Sequence, residues 1–240
     1  MNSLWLTPVI LSLIAGSSIF LGAYLASKEN IHRKWLESEL HHGITALGGG
    51  ALVAAIALVL IPEGLKYQPL WLSISSFAGG GIAAMSLDRY FAKRKDAVSQ
   101  LMAMLFDYVP ETIVIGAIFT KNYSEAILLT IIIFIQNLPE SFSAYREIKH
   151  SKTMGTKKLL KTFFIISLTG PLFVGIGAFL FTDSEMLLGS LMTFCAGAIL
   201  YLMFNDIAPQ VQLKNRYFPP FGALLGFIIG MIGYQLTRGY

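Results

Sequence analysis

The chain has 240 residues, 55% of them hydrophobic and 13% charged, with a mean hydropathy of +0.63. That is too apolar for a soluble domain and too evenly apolar for a soluble domain held by one anchor, so the composition describes an all-α polytopic membrane protein. The net charge of +4 resides in loops and gives no reason to invoke nucleic acid.

Apolar runs of about 18 or more residues with few charges are candidate spanning helices. In chain order they fall at 5-27, 43-63, 70-91, 99-120, 124-146, 158-181, 186-210 and 218-237, which predicts eight transmembrane helices. The first begins near the N-terminus without the basic stretch and small-residue cleavage site of a removable signal peptide, so it reads as a retained helix. The connections at 28-42 and 147-157 are too short to fold independently. Residues 1-240 are therefore expected to be a single transmembrane domain, with its function in the bundle or at its mouths.

Placing loops 1-2, 3-4, 5-6 and 7-8 on one side gathers 15 of the 18 Lys and Arg there. Only Lys66, Lys121 and Arg238 fall on the opposite side. By the positive-inside rule the basic loops face the cytoplasm and both termini lie outside it, as in an integral protein of a plasma or inner membrane. The single Cys195 excludes an internal disulfide and reads as a buried, inert thiol.

Two stretches stand out inside these apolar runs: Asp107-Tyr108-Val109-Pro110-Glu111 in the fourth and Gln136-Asn137-Leu138-Pro139-Glu140 in the fifth. In each, the first residue and the glutamate are four apart and share a helix face. The proline before each glutamate removes a backbone hydrogen bond and is expected to free a carbonyl near Phe106 and Ile135. A carboxylate at mid-membrane costs about 2.5 to 3.5 kcal/mol on insertion scales, and no Lys or Arg lies deep in any span. Protonated acids bonded between helices would meet that cost, as would water in a cavity or a bound cation. Three acids beside Gln136 and Asn137 favour a cation path. All four histidines, His32, His41, His42 and His150, fall in loops. The oxygen donors suit harder ions such as Mn, Mg or Ca, admit Fe(II), and match Zn less well than imidazole would.

Related Pro steps occur at Ile61-Pro62-Glu63 and Ala208-Pro209-Gln210. The four steps occupy the second, fourth, fifth and seventh runs, a palindrome that fits an inverted repeat of three helices on either side of a central pair. Glu63 and Asp206, near the ends of the second and seventh runs, are candidate entrance and exit ligands, although acids at helix ends are commonly just solvated.

At its fourth and fifth helices the sequence resembles the ZIP family of divalent-metal transporters. The family's fourth helix typically reads His-Asn-x-Pro-Glu-Gly, and the aligned residues here are Asp107, Tyr108, Val109, Pro110, Glu111 and Thr112. Its fifth helix often reads Gln-Asn-x-Pro-Glu-Gly, which Gln136, Asn137, Leu138, Pro139, Glu140 and Ser141 match closely. Softer echoes are Leu60 to Gly64, Leu87-Asp88-Arg89, and Ala196-Gly197-Ala198 to Asn205-Asp206-Ile207-Ala208-Pro209.

The resemblance implies eight spans in a 3+2+3 inverted-repeat arrangement and a metal site at Asp107, Glu111, Gln136, Asn137 and Glu140. It implies a carrier for a divalent metal ion (Zn, Mn, Fe or Cd) that works towards the cytoplasm by alternating access, with no prosthetic group and with a homodimer left open. The departures imply one metal rather than two and a shift away from zinc, because Asp107 stands where the family has histidine and Gly170-Pro171 where it has Glu-Pro. Tyr108 is either a ligand or a plug. A metal- or proton-sensing protein of the same fold is the alternative function. An enzyme is not expected, because an intramembrane hydrolase would need imidazole ligands that are lacking at depth.

Overall fold

The computed structural model describes residues 2–29, 34–92, 97–151, 153–181, 183–211 and 218–238. His32 and the basic loop residues Arg33, Lys93, Arg94, Lys95, Lys152, Lys214 and Arg216 lie outside these ranges, as does the side chain of His41.

The described residues form eight helical elements and no strand. They are α1 (Asn2–Lys28); α2 (Lys34–Ala55, a π-helical segment Ile56–Leu60, then Ile61–Lys66); α3 (Leu70–Ala92); and α4 (Ala97–Phe119). Then come α5 (Tyr123–His150); α6 (Thr156–Ser167 and Gly170–Phe181); α7 (Glu185–Leu202, a π-helical segment Met203–Ile207, then Ala208–Gln210); and α8 (Phe218–Arg238). Among the described residues, seven helices are long and apolar enough to cross a membrane, all but α4, which is itself 23 residues long. The chain is an integral membrane protein.

Local chemistry sets several of these boundaries. The side chain of Asn122 accepts the Glu125 backbone N–H at 3.2 Å and starts α5, and Ser184 does the same for Leu187 at 3.3 Å at the start of α7. An acidic residue in the first turn, Glu125 or Glu185, complements each helix dipole. Helix α6 breaks at Leu168 and Thr169 because Pro171 has no N–H for the Ser167 carbonyl. That carbonyl turns onto α1, where only the missing side chain of Gly16 leaves room for it.

The four Pro steps divide into two kinds. Pro110 and Pro139 are carried inside uninterrupted helices, whereas Pro62 and Pro209 each follow a π-helical segment. There the Ile61 N–H reaches back to the Ile56 carbonyl and the Ala208 N–H to that of Met203, so one extra residue is accommodated just ahead of the proline.

The helices pair most extensively as α1 with α5, α2 with α8, α3 with α7 and α4 with α6. Glycines bring these pairs to backbone contact: a Cβ at Gly50 or Gly226 would strike the carbonyl of Ala223 or Leu47, and one at Gly80 or Gly197 that of Phe194 or Phe77. One register shift carries Leu47 onto Phe194, Gly50 onto Gly197, Ile56 onto Met203 and Pro62 onto Pro209. The α2–α8 and α3–α7 contacts are thus two copies of one packing solution. Helices α1, α4, α5 and α6 pack mainly on one another, as do α2, α3, α7 and α8, and the two groups meet chiefly where α5 lies against α2 and α8. Helices α2 and α5 are the most enclosed, at 67% and 56% buried, while α3 and α8, at 17%, turn outward.

Candidate functional site

The polar residues of α4 and α5 meet at the centre of this packing. Glu111 and Gln136 are buried, and Gln136 Nε2 donates to both Glu111 carboxylate oxygens at 2.7 Å. Asp107, one turn earlier on α4, adjoins both Gln136 and Glu140 within side-chain hydrogen-bonding reach. Asp206 of α7 is near enough for its charge to act on Asp107 and Glu140, and Asn205 Nδ2 donates to it at 2.8 Å. The pairs predicted from i,i+4 spacing therefore do face one another across α4 and α5.

Asn137 is 1% exposed, and neither its amide oxygen nor its nitrogen has a partner. Leaving a buried amide unpaired costs about 1–3 kcal/mol, which marks it as unspent binding capacity one residue along α5 from Gln136. Among the described residues, no Lys or Arg pairs with Asp107, Glu111 or Glu140. Nor do any three His, Cys, Asp or Glu side chains converge closely enough to enclose a metal ion. The donor set is instead Glu111 bonded to the Gln136 amide, with Asp107 beside Gln136 and Glu140 beside Asp107.

The site is asymmetric along the bundle. Towards the end carrying Lys66 and Lys121, the next turns supply Val59, Leu60, Ile115, Leu129 and Ile132, all buried in one apolar cluster. Towards the end carrying the basic loops, Asp107, Glu140 and Asp206 are all partly exposed.

Tyr108 belongs to another surface. It is fully buried, its hydroxyl donates to the Ser12 carbonyl at 3.2 Å, and it fits between Gly16 of α1 and Gly170 of α6. Next to it, the Thr112 hydroxyl returns to the Tyr108 carbonyl at 3.0 Å. The tyrosine thus locks α4 to α1 and α6 through its hydroxyl.

Glu63 is buried near the C-terminal end of α2, in an ion pair with Lys66. Burial, and then the Glu63 carboxylate, raise the pKa of the nearby Tyr67 phenol, which stays neutral. Beside it, Gln68 bridges to α7, its Nε2 donating to Thr193 Oγ1 at 2.9 Å and its Oε1 accepting from Ser190 Oγ at 2.7 Å. Cys195 is free and buried, as the sequence suggested.

Sequence reasoning passed over Thr45 on α2, a buried hydroxyl that has no hydrogen-bond partner. A lone threonine in an apolar run carries no sequence signal. It also passed over the bond from the Tyr201 hydroxyl to Asp88 at 3.3 Å, which ties α7 to α3.

No protein-family model matches this chain, and no curated protein matches it.

Proposed function

We propose that this protein is a divalent-metal carrier similar in design to the ZIP transporters, moving its ion towards the cytoplasm by alternating access. The observation that carries the reading is the junction of Asp107, Glu111, Gln136 and Glu140 between α4 and α5, with the unpartnered Asn137 next in sequence to Gln136 and, among the described residues, no basic residue paired to the acids. Carboxylates held in an apolar bundle without cationic partners are stabilised by an ion that brings the missing charge. Here that ion is the substrate, and its ligands are Asp107, Glu111, Gln136, Asn137 and Glu140.

The 3+2+3 inverted repeat is supported by the exchange relation of the helix pairs. Replacing α1 with α6, α2 with α7, α3 with α8 and α4 with α5 turns α1–α5 into α6–α4 and α2–α8 into α7–α3. Alternating access is supported by the two four-helix groups. Each is fastened internally by backbone contacts at glycine, such as Gly116 on Val174 within one and Gly197 on Phe77 within the other. Between the groups, a Cβ added at Gly48 would stand 3.1 Å from Pro139 Cγ and 3.4 Å from the Gln136 Cα, less tight than the backbone contacts within each group and a surface over which α5 can slide. With the apolar plug on one side and partly exposed acids on the other, the protein is poised open to the basic-loop side, which the positive-inside rule makes cytoplasmic.

A sensor of the same fold is the second reading, favoured by the direct Gln136–Glu111 bond that an arriving cation must displace. Uptake of Mn, Fe(II), Zn and Cd into liposomes holding the purified protein separates the two. Saturable uptake that disappears in a Glu111→Ala, Glu140→Ala double variant is expected. Metal binding to the protein in detergent without uptake of any ion would overturn the carrier in favour of the sensor.

A further inference from the structure

We infer that the Thr45 hydroxyl is an oxygen ligand on the inner leg of the path, where with Glu140 and Asp206 it forms a hand-off position for the divalent cation between the central site and the basic-loop mouth. The inference rests on the carrier reading and deepens it.

Thr45 is 8% exposed, and its Oγ1 has no hydrogen-bond partner. That is unusual here. Buried helical hydroxyls such as those of Ser18, Thr112, Thr130, Ser141 and Thr193 all return to a carbonyl three or four residues back, between 2.6 and 3.0 Å away. A threonine that forgoes this local bond while buried leaves an acceptor oxygen unspent, at a cost of about 1–3 kcal/mol.

The direction of the side chain follows from its neighbours on α2. Gly48 faces α5 at Pro139 and Gln136, while Gly49 faces α7 at Ile207 and Met203. At 100° per residue Thr45 projects between these two directions, one turn nearer the basic-loop end. Helices α5 and α7 run opposite to α2, so the same step leads along them from Gln136 towards Glu140 and from Met203 towards Asp206. Asp206 lies near enough for its charge to act on Glu140. Both are partly exposed, whereas Glu111 and Gln136 are not, so the gap is the way out of the central site. One hydroxyl with two carboxylates is a hard-oxygen set suited to an ion such as Mn2+.

The test uses full-length protein in liposomes, with Mn2+ and Cd2+ uptake measured separately for the wild type, the Glu111→Ala, Glu140→Ala variant, and Thr45→Val, Thr45→Ser and Thr45→Cys. Thr45→Val is isosteric and is expected to slow Mn2+ uptake by at least about tenfold, the scale on which metal-site partners act, while Thr45→Ser retains it. Thr45→Cys supplies a soft sulfur and is expected to raise the ratio of Cd2+ to Mn2+ uptake, a change that packing alone would not produce. If the wild type transports and the double variant does not, yet Thr45→Val matches wild type or Thr45→Cys leaves the ion ratio unchanged, the role of Thr45 is overturned and the carrier stands. If the wild type takes up neither ion, both fall. Should Thr45→Val fail to fold, the ion ratio of Thr45→Cys decides.

Discussion

Tyr108 and Gln136 show how residues side by side with the acids do different work. Tyr108 is one position from Asp107, but the 100° step turns its ring towards α1 and α6, where its hydroxyl meets Ser12 between two glycines. Tyr108→Phe should therefore cost about 1 kcal/mol of stability, read as a lower thermal midpoint in detergent, with metal uptake unchanged. Loss of uptake by a folded Tyr108→Phe protein would make the hydroxyl a ligand after all. Gln136 is the converse case, since its amide holds the Glu111 carboxylate in place from two sides. Gln136→Leu strands that carboxylate in an apolar bundle, so metal affinity and thermal stability should both fall, the latter by about 1–3 kcal/mol. Isothermal titration and thermal melts on the same sample check the two effects together.

At the scale of the element, proline and glycine set the geometry. The prolines of α2 and α7 are each preceded by a π-helical segment, while those of α4 and α5 are absorbed without one. Sequence reading treats all four steps alike, because proline removes the same hydrogen bond wherever it stands and only the surrounding turns decide how the loss is taken up. The glycine contacts are less forgiving. Gly226 lies against the Leu47 carbonyl with no space for a Cβ, so Gly226→Leu should force α8 off α2 and cost about 1–3 kcal/mol or more as overpacking. A lower melting temperature and a broader gel-filtration peak are expected. Gly175, with nothing within 4 Å of where a Cβ would stand, is the control at which Gly→Ala should change neither.

Across the whole molecule, the decisive question is whether the two four-helix groups move. At the end away from the basic loops Lys121, between α4 and α5, pairs with Glu185 at the start of α7 at 3.4 Å, joining one group to the other. Both side chains are partly or well exposed, so the pair contributes little to stability. Its use lies in reporting position. Bridging Lys121→Cys with Glu185→Cys by a short thiol cross-linker should hold this end shut and stop uptake, and reduction of a cleavable linker should restore it. The native Cys195 is buried and does not compete. Uptake that continues at full rate through a completely cross-linked sample would rule out relative motion of the two groups as the transport step.

Membrane character, the helical class and the facing of Asp107 with Glu111 and of Gln136 with Glu140 were legible from the chain alone. Hydropathy and the 3.6-residue period are local properties that survive any arrangement of the helices. The i,i+4 spacing placed the acids on common faces, but whether those faces met depended on how α4 and α5 were brought together. The tertiary structure alone decided that the Tyr108 hydroxyl is seated between α1 and α6 and that Asp206 of α7 lies near enough for its charge to act on Asp107 and Glu140. It alone revealed Thr45, because a hydroxyl becomes significant only when burial has removed water and no neighbour has replaced it. Those are relations between residues far apart in the chain, set by which backbones glycine allows to touch, and no sequence window contains them.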